Sequence, residues 1–264
     1  MTWVCAASTI FGYGALYSDV QVTFVGGHTR DLLQKAYPLS NFIAAGFAGS
    51  VRIGFDLLAS LYNCLALPPE ALKTRAWEPP WVSEQWVPIA KSIFAGEPES
   101  EKAHGSQILM VGVSPDENCG LGAKVYFTRF VAPEFRPQIM SGAIKLCSIG
   151  SGARKIEYKH RLKPLFRLTS GILKAEVMHP GGWARQLGFS ISRALADNPH
   201  RGISPHIHIV IVKRGSILVE TNDENIYPPD GTRIEFRMPR IAQGYEEFLG
   251  LAQALGYDGA GATC

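Results

Sequence analysis

The chain has 264 residues, 46% of them apolar, with 26 basic against 23 acidic side chains and a formal net charge of +3. That apolar content supplies a core for one large domain or two small ones. Charges so evenly balanced leave no footprint for nucleic acid, and neither a basic leader nor a run of ~18 apolar residues is present to suggest export or membrane insertion. In chain order, residues 2–8 and 15–24 read as strands joined at Gly12-Tyr13-Gly14, with Val20, Val22 and Phe24 alternating against Gln21 and Thr23. A glycine turn follows at Gly26-Gly27. The apolar run over 42–47 suits a buried strand, and Ser50 is placed to cap a helix whose inner stripe is Val51, Gly54, Leu58 and Leu61, with Leu57 and Leu65 beside it.

Over residues 64–106 the prolines become dense (Pro68, Pro69, Pro79, Pro80, Pro88, Pro98), with Trp77, Trp81 and Trp86 among them. This predicts a long Pro/Trp-rich insertion around one short helix near 82–94. Strands are expected over 107–113 and 123–131, and a further strand from Ala143 ends in Gly150-Ser151-Gly152. That glycine turn, GSGARK, lacks the G-x-x-x-x-G-K-[ST] spacing of a phosphate cradle. Helices are expected over 153–162 and 183–196, the latter with Trp183, Leu187, Ile191 and Leu195 stepping by four along one side. Strands over 207–212 and 216–220, a polar turn region over 221–229, a short strand over 232–238 and a helix over 245–254 complete the pattern. The end, GYDGAGATC, reads as a mobile glycine-rich tail. A single domain over 2–220 with an extension over 221–264 accounts for this order.

Five cysteines, Cys5, Cys64, Cys119, Cys147 and Cys264, are odd in number and never spaced C-x-x-C. They argue against a disulfide framework or zinc ribbon and for a reducing, cytoplasmic setting. His206 and His208 in H-x-H, with His200 nearby, bring a metal to mind. No third acidic or cysteine ligand stands at an informative spacing, so exposed strand histidines and no metal are expected.

The chemistry of the chain centres on the residue after Met1. With Met1 removed, Thr2 would carry a hydroxyl nucleophile and a free α-amine, whose reference pKa of about 7.7–8.0 lets it act as the base. Downstream, Asp19 closes GALYSD, Lys35 stands sixteen residues later in DLLQK, and IAAGFAGS ends at Ser50. An ammonium near the amine favours its neutral form, and a carboxylate keeps that lysine charged and oriented. Glycine at a strand-to-helix corner lets backbone N–H donors approach an oxyanion.

This order resembles that of the proteasome β-subunits, and still more that of the bacterial ring threonine peptidase that partners an ATP-driven unfoldase. The resemblance implies an α+β fold, a four-layer αββα sandwich of the N-terminal nucleophile hydrolases. It implies Thr2 as nucleophile, Lys35 as the charge beside it, Asp19 as the partner of Lys35, Gly49 as oxyanion donor and Ser151 as support for the terminal amine. Val22, Leu33, Phe47 and Phe55 would line an apolar pocket for the side chain preceding the cut. The implied partners are a peptide or protein substrate, further copies in a homo-oligomeric ring and an ATP-dependent unfoldase, with no cofactor, nucleic acid or membrane. The family places Asp, Ser and Gly in the loop that braces the amine, whereas Asn198 (or Asp197), Arg201 and Gly202 stand here. The rival readings are a catalytically silent scaffold subunit of the same fold and an amidase of the same nucleophile class acting on a small amide.

Overall fold

The chain turns back on itself first at Ile10–Gly12, pairing β1 (Val4–Ser8) with β2 (Gly14–Asp19) so that Val4 lies opposite Ser18 and Ala7 opposite Ala15. Residues 2–65, 78–162, 166, 169–200, 202–221, 225–226, 234–235 and 237–264 are described by the structure, a computed structural model. The second strand was expected to run to residue 24. Instead it stops at Asp19, whose own carboxylate takes the N–H of Gln21 at 2.9 Å. That local side-chain bond competes with the ladder and bends the chain, so β3 (Gln21–Thr23) pairs with β4 (Thr29–Asp31) in a separate two-stranded ribbon.

After β5 (Ala36–Pro38), β6 (Ile43–Gly49) leads directly into α1 (Val51–Leu65). Ser50 caps that helix, its Oγ accepting the Ile53 N–H at 3.2 Å. The proline-rich region forms α2 (Pro79–Gly96), longer than the helix anticipated there. Pro79 and Pro80 occupy the first turn, where a missing N–H leaves no bond unmade, and only Pro88 lies inside. Trp77 and the rest of 66–77 lie outside the described residues. Trp86 fixes α2 in place: it is fully buried, donates its indole N–H to Ser60 on α1 at 2.9 Å and stands edge-on to Phe130, centroids 4.8 Å apart. The short α3 (Glu99–Lys102) precedes β7 (Ser106–Cys119), β8 (Gly122–Val131) and β9 (Gln138–Ser141).

Then come β10 (Leu146–Ile149), a 3-10 turn over Ser151–Arg154, and the helices α4 (Ile156–Leu162), α5 (Ser170–Met178) and α6 (Gly182–Asp197). The chain finishes with β11 (Ile207–Lys213), β12 (Ser216–Thr221), the small pair β13 (Asn225–Ile226) and β14 (Ile234–Glu235), and α7 (Tyr245–Ala254). The architecture is mixed helix and open antiparallel sheet. One five-stranded sheet runs β10-β1-β2-β11-β12 and another β5-β6-β7-β8-β9.

Burial explains why β1 and β2 lack polar alternation: both faces are covered. Val4, Ala6, Leu16 and Val210 of the first sheet share an apolar cluster with Ala44, Leu109, Val111 and Phe127 of the second. Cys5, Ala7, Ala15 and Tyr17 belong instead to a cluster with Trp183, Leu187, Ile191 and Leu195 of α6. The third cluster joins α1 and α2 to β6, β7 and β8. Among the described residues no helix is long and apolar enough to cross a membrane.

Candidate active site

Thr2, Asp19 and Lys35 meet at the end of β2. Lys35 arrives from the segment between β4 and β5, where its carbonyl takes the Phe47 N–H at 3.1 Å and ties it to β6. Its Nζ has three protons and three acceptors: Thr2 Oγ1 at 2.6 Å, Asp19 Oδ1 at 2.8 Å and the Gln21 carbonyl at 2.5 Å. Asp19 is equally committed. Oδ2 accepts the Thr2 hydroxyl at 2.5 Å and the Trp3 N–H at 2.7 Å, while Oδ1 serves Lys35 and Gln21 N–H. All three side chains are at 0% exposure. A buried ion pair costs several kcal/mol per ion in desolvation unless its geometry and remaining hydrogen bonds are complete, and here every ammonium proton has a partner.

The Gly150-Ser151-Gly152 turn closes the site from the other side. Thr2 N lies 3.1 Å from Ser151 Oγ, which donates in turn to the Thr2 carbonyl at 3.2 Å. Gly150, at φ +80°, passes so close that a Cβ there would sit 2.5 Å from the Thr2 carbonyl oxygen. Glycine is required by contact as well as by conformation. Gly49 is under the same constraint: at φ +114° a Cβ would lie 2.3 Å from the Gly105 carbonyl oxygen.

The N–H of Gly49 is not free. It donates to the carbonyl of Cys264 at 2.7 Å, and Cys264 N–H returns the bond to the Gly49 carbonyl at 2.9 Å. The tail expected to be mobile is an ordered extended segment: Thr263 exchanges both backbone bonds with Thr23, at 2.8 and 2.9 Å, and Val51 N–H donates to Ala262 O at 3.0 Å. Glycine freedom in GAGATC is outweighed by these backbone bonds, which satisfy N–H groups of β3 and of the β6–α1 corner. Cys264 is buried, which pushes its thiol up to about 11, and the charges of Lys35 and Asp19 act on it. This segment, the Gln21 carbonyl and Glu101, which anchors the tail, carried no readable signal in the sequence.

Val22, Leu33 and Phe47 are fully buried in the cluster that also contains Cys264. Phe55 packs against them, 5.4 Å from Phe47 by ring centroid, and lines an open groove with Tyr37, Leu58 and Tyr62. In the bracing loop, Asn198 caps α6: its N–H and Nδ2 both reach the Ala194 carbonyl, and its own carbonyl accepts the Tyr158 hydroxyl at 3.1 Å. Arg201 lies outside the described residues.

The histidines are not the exposed strand residues expected. β11 lies between β2 and β12, so His208 is 3% exposed, and burial lowers its pKa to about 4. Its Nδ1 has no hydrogen-bond partner among the described residues. His206 Nδ1 instead lies 2.8 Å from Asp31 Oδ2, which also accepts Ser204 Oγ–H at 2.7 Å. Burial presses the Asp31 pKa upward, but the bonds with His206, Ser204 and Gln21 outweigh it and hold the group below its ordinary value. Among the described residues no three His, Cys, Asp or Glu side chains cluster to hold a metal.

No protein-family model matches this chain, and no curated protein matches it.

Proposed function

We propose that this chain is an N-terminal nucleophile hydrolase of the proteasome β-subunit type, a threonine peptidase whose nucleophile is Thr2 once Met1 is removed. The observation that carries the reading is the buried contact of Thr2 Oγ1 with both Lys35 Nζ and the Asp19 carboxylate, at 2.6 and 2.5 Å. A solvated threonine needs no such surroundings. Further support comes from the three apolar clusters, whose membership suits a helix–sheet–sheet–helix order of four layers.

In this mechanism Thr2 Oγ attacks the scissile carbonyl while the α-amine takes its proton. The carbonyl oxygen becomes an oxyanion held by Gly49 N–H, the C–N bond breaks, and the amine passes the proton to the departing nitrogen. Water then attacks the acyl ester and regenerates the Thr2 hydroxyl. Ser151, beside Thr2 N, orients the amine, and Lys35 favours its neutral form by like-charge repulsion. By the same reading the chain works in the cytoplasm as a homo-oligomeric ring served by an unfoldase.

A silent scaffold subunit is the second reading, favoured by two observations: Thr2 is fully buried, and Gly49 N–H is already engaged by Cys264. Intact-mass measurement and labelling with a peptidyl epoxyketone, whose ring closure needs both the threonine hydroxyl and its free amine, separate the two. Loss of Met1 and a single adduct absent in Thr2→Ala support the peptidase. Quantitative retention of Met1 on the folded protein sinks it.

A further inference from the structure

The backbone of residues 262–264 lies between Thr23 of β3 and the corner where β6 passes into α1. On one side Thr23 N–H and carbonyl pair with Thr263; on the other, Gly49 pairs with Cys264 and Val51 N–H with Ala262. The segment therefore bridges β3 and the corner after β6, with Thr263 paired antiparallel to Thr23 on one side and to Ser50 on the other. Bonds of this kind are those used in peptide recognition by strand addition, where main-chain bonds hold the occupant and alternate side chains fill pockets. Ala262 and Cys264 are both buried.

The approach to the strand is also built. Glu101, itself buried, accepts Gly261 N–H on Oε1 at 2.9 Å and the Ser50 hydroxyl on Oε2 at 2.5 Å. Gly261 adopts φ +70°, and Tyr257, just upstream, stacks on Phe24 of the β3–β4 turn with centroids 4.5 Å apart. A tail resting in a groove by chance has no need of a buried carboxylate latch or an aromatic clasp.

We propose that Ala262–Cys264 is a resident strand occupying the substrate cleft, so that the site is self-blocked and is opened when this strand is displaced. The proposal rests on the reading of Thr2 as nucleophile for its functional meaning, but the occupancy stands separately. The donor it takes, Gly49 N–H, is the one an oxyanion would need, so resident strand and substrate exclude each other. A substrate gains entry only by offering the same antiparallel edge.

The test compares the full chain with a variant ending at Gly261 and with Thr263→Pro, which cannot donate to the Thr23 carbonyl. Circular dichroism establishes folding, and two readouts are taken. In the first, a fluorescent Gly-Ala-Gly-Ala-Thr-Cys peptide is titrated under reducing conditions and followed by anisotropy. Saturable binding to either folded variant, at least about tenfold tighter than to the full chain, is expected. Equal binding to all forms, or to none, overturns the proposal. In the second, the rate of epoxyketone labelling is expected to rise by an order of magnitude or more when the strand is removed or disrupted, and to fall again on adding the peptide. Equal labelling rates with and without the strand overturn self-blocking. Peptide binding without labelling of a Met1-free protein supports occupancy and sinks only the nucleophile reading. Should the truncated chain fail to fold, Thr263→Pro carries both readouts.

Discussion

Thr2 and Lys35 are 33 residues apart in the chain and 2.6 Å apart at their side-chain tips. Lys35 also holds Asp19, and each of the three groups is sealed from water, so none can be changed without leaving another stranded. Lys35→Met abandons the Asp19 carboxylate in the interior. The expected cost is about 3–5 kcal/mol, read as a fall in the urea midpoint, whereas Lys35→Met combined with Asp19→Leu should recover a large part of it. Under the proposed function both variants also lose epoxyketone labelling. A single Lys35→Met variant within about 1 kcal/mol of the parent would show that the pair contributes little to the fold.

His208 makes stability depend on acid. Its ordinary pKa of 6.5 applies in the unfolded chain, against about 4 when folded, so the unfolded state binds the extra proton first as pH falls. The stability associated with neutral His208 is fully present above about pH 6.5 and is lost progressively toward pH 4, by up to roughly 3 kcal/mol. His208→Leu should flatten urea-unfolding stability across that window. An unchanged acid slope in the variant would assign the effect elsewhere.

Ser50 joins two parts of the molecule through one hydroxyl, accepting from Ile53 N–H and donating to Glu101. Ser50→Ala removes a helix cap and leaves Glu101 short of a donor. A loss of about 1–2 kcal/mol is expected, seen as a Tm lower by roughly 2–8 °C. Ser50→Thr should retain most of it.

Trp86 is a fully buried indole wedged among α1, α2 and β8. Trp86→Ala should cost about 3–5 kcal/mol by the cavity it leaves. Trp86→Phe, which keeps most of the volume and gives up the bond to Ser60, should cost roughly half as much or less. Equal losses from the two variants would mean that the hydrogen bond, not the packing, dominates.

Much of this arrangement was legible in residue order. The four-step of Trp183, Leu187, Ile191 and Leu195 marked the inner face of α6, and all four are buried. The resemblance carried by the order Thr2, Asp19, Lys35 implied that the three belong together, and their side chains do meet. What stayed hidden depended on contacts between distant segments or on a single side chain overriding a pattern. The break at Val20 follows from the Asp19 carboxylate bonding Gln21 N–H, which alternation cannot reveal. The burial of His208 follows from the strand order around β11. The extended end followed from its pairing with Thr23 of β3 and with Gly49 and Val51 at the β6–α1 corner, edges that exist only once the sheets have formed.

The seating of Cys264 has a consequence for altering the protein. Because Thr23 holds Thr263 and Gly49 holds Cys264, a change within 262–264 disturbs two neighbouring elements at once. The tip of the β7–β8 turn is similarly tied down: although Leu121 is 77% exposed, its N–H donates to the Ile10 carbonyl at 3.2 Å, and Gly122 lies so close to the Phe11 and Gly12 backbone that a Cβ there would sit 2.4 Å from the Phe11 carbonyl oxygen.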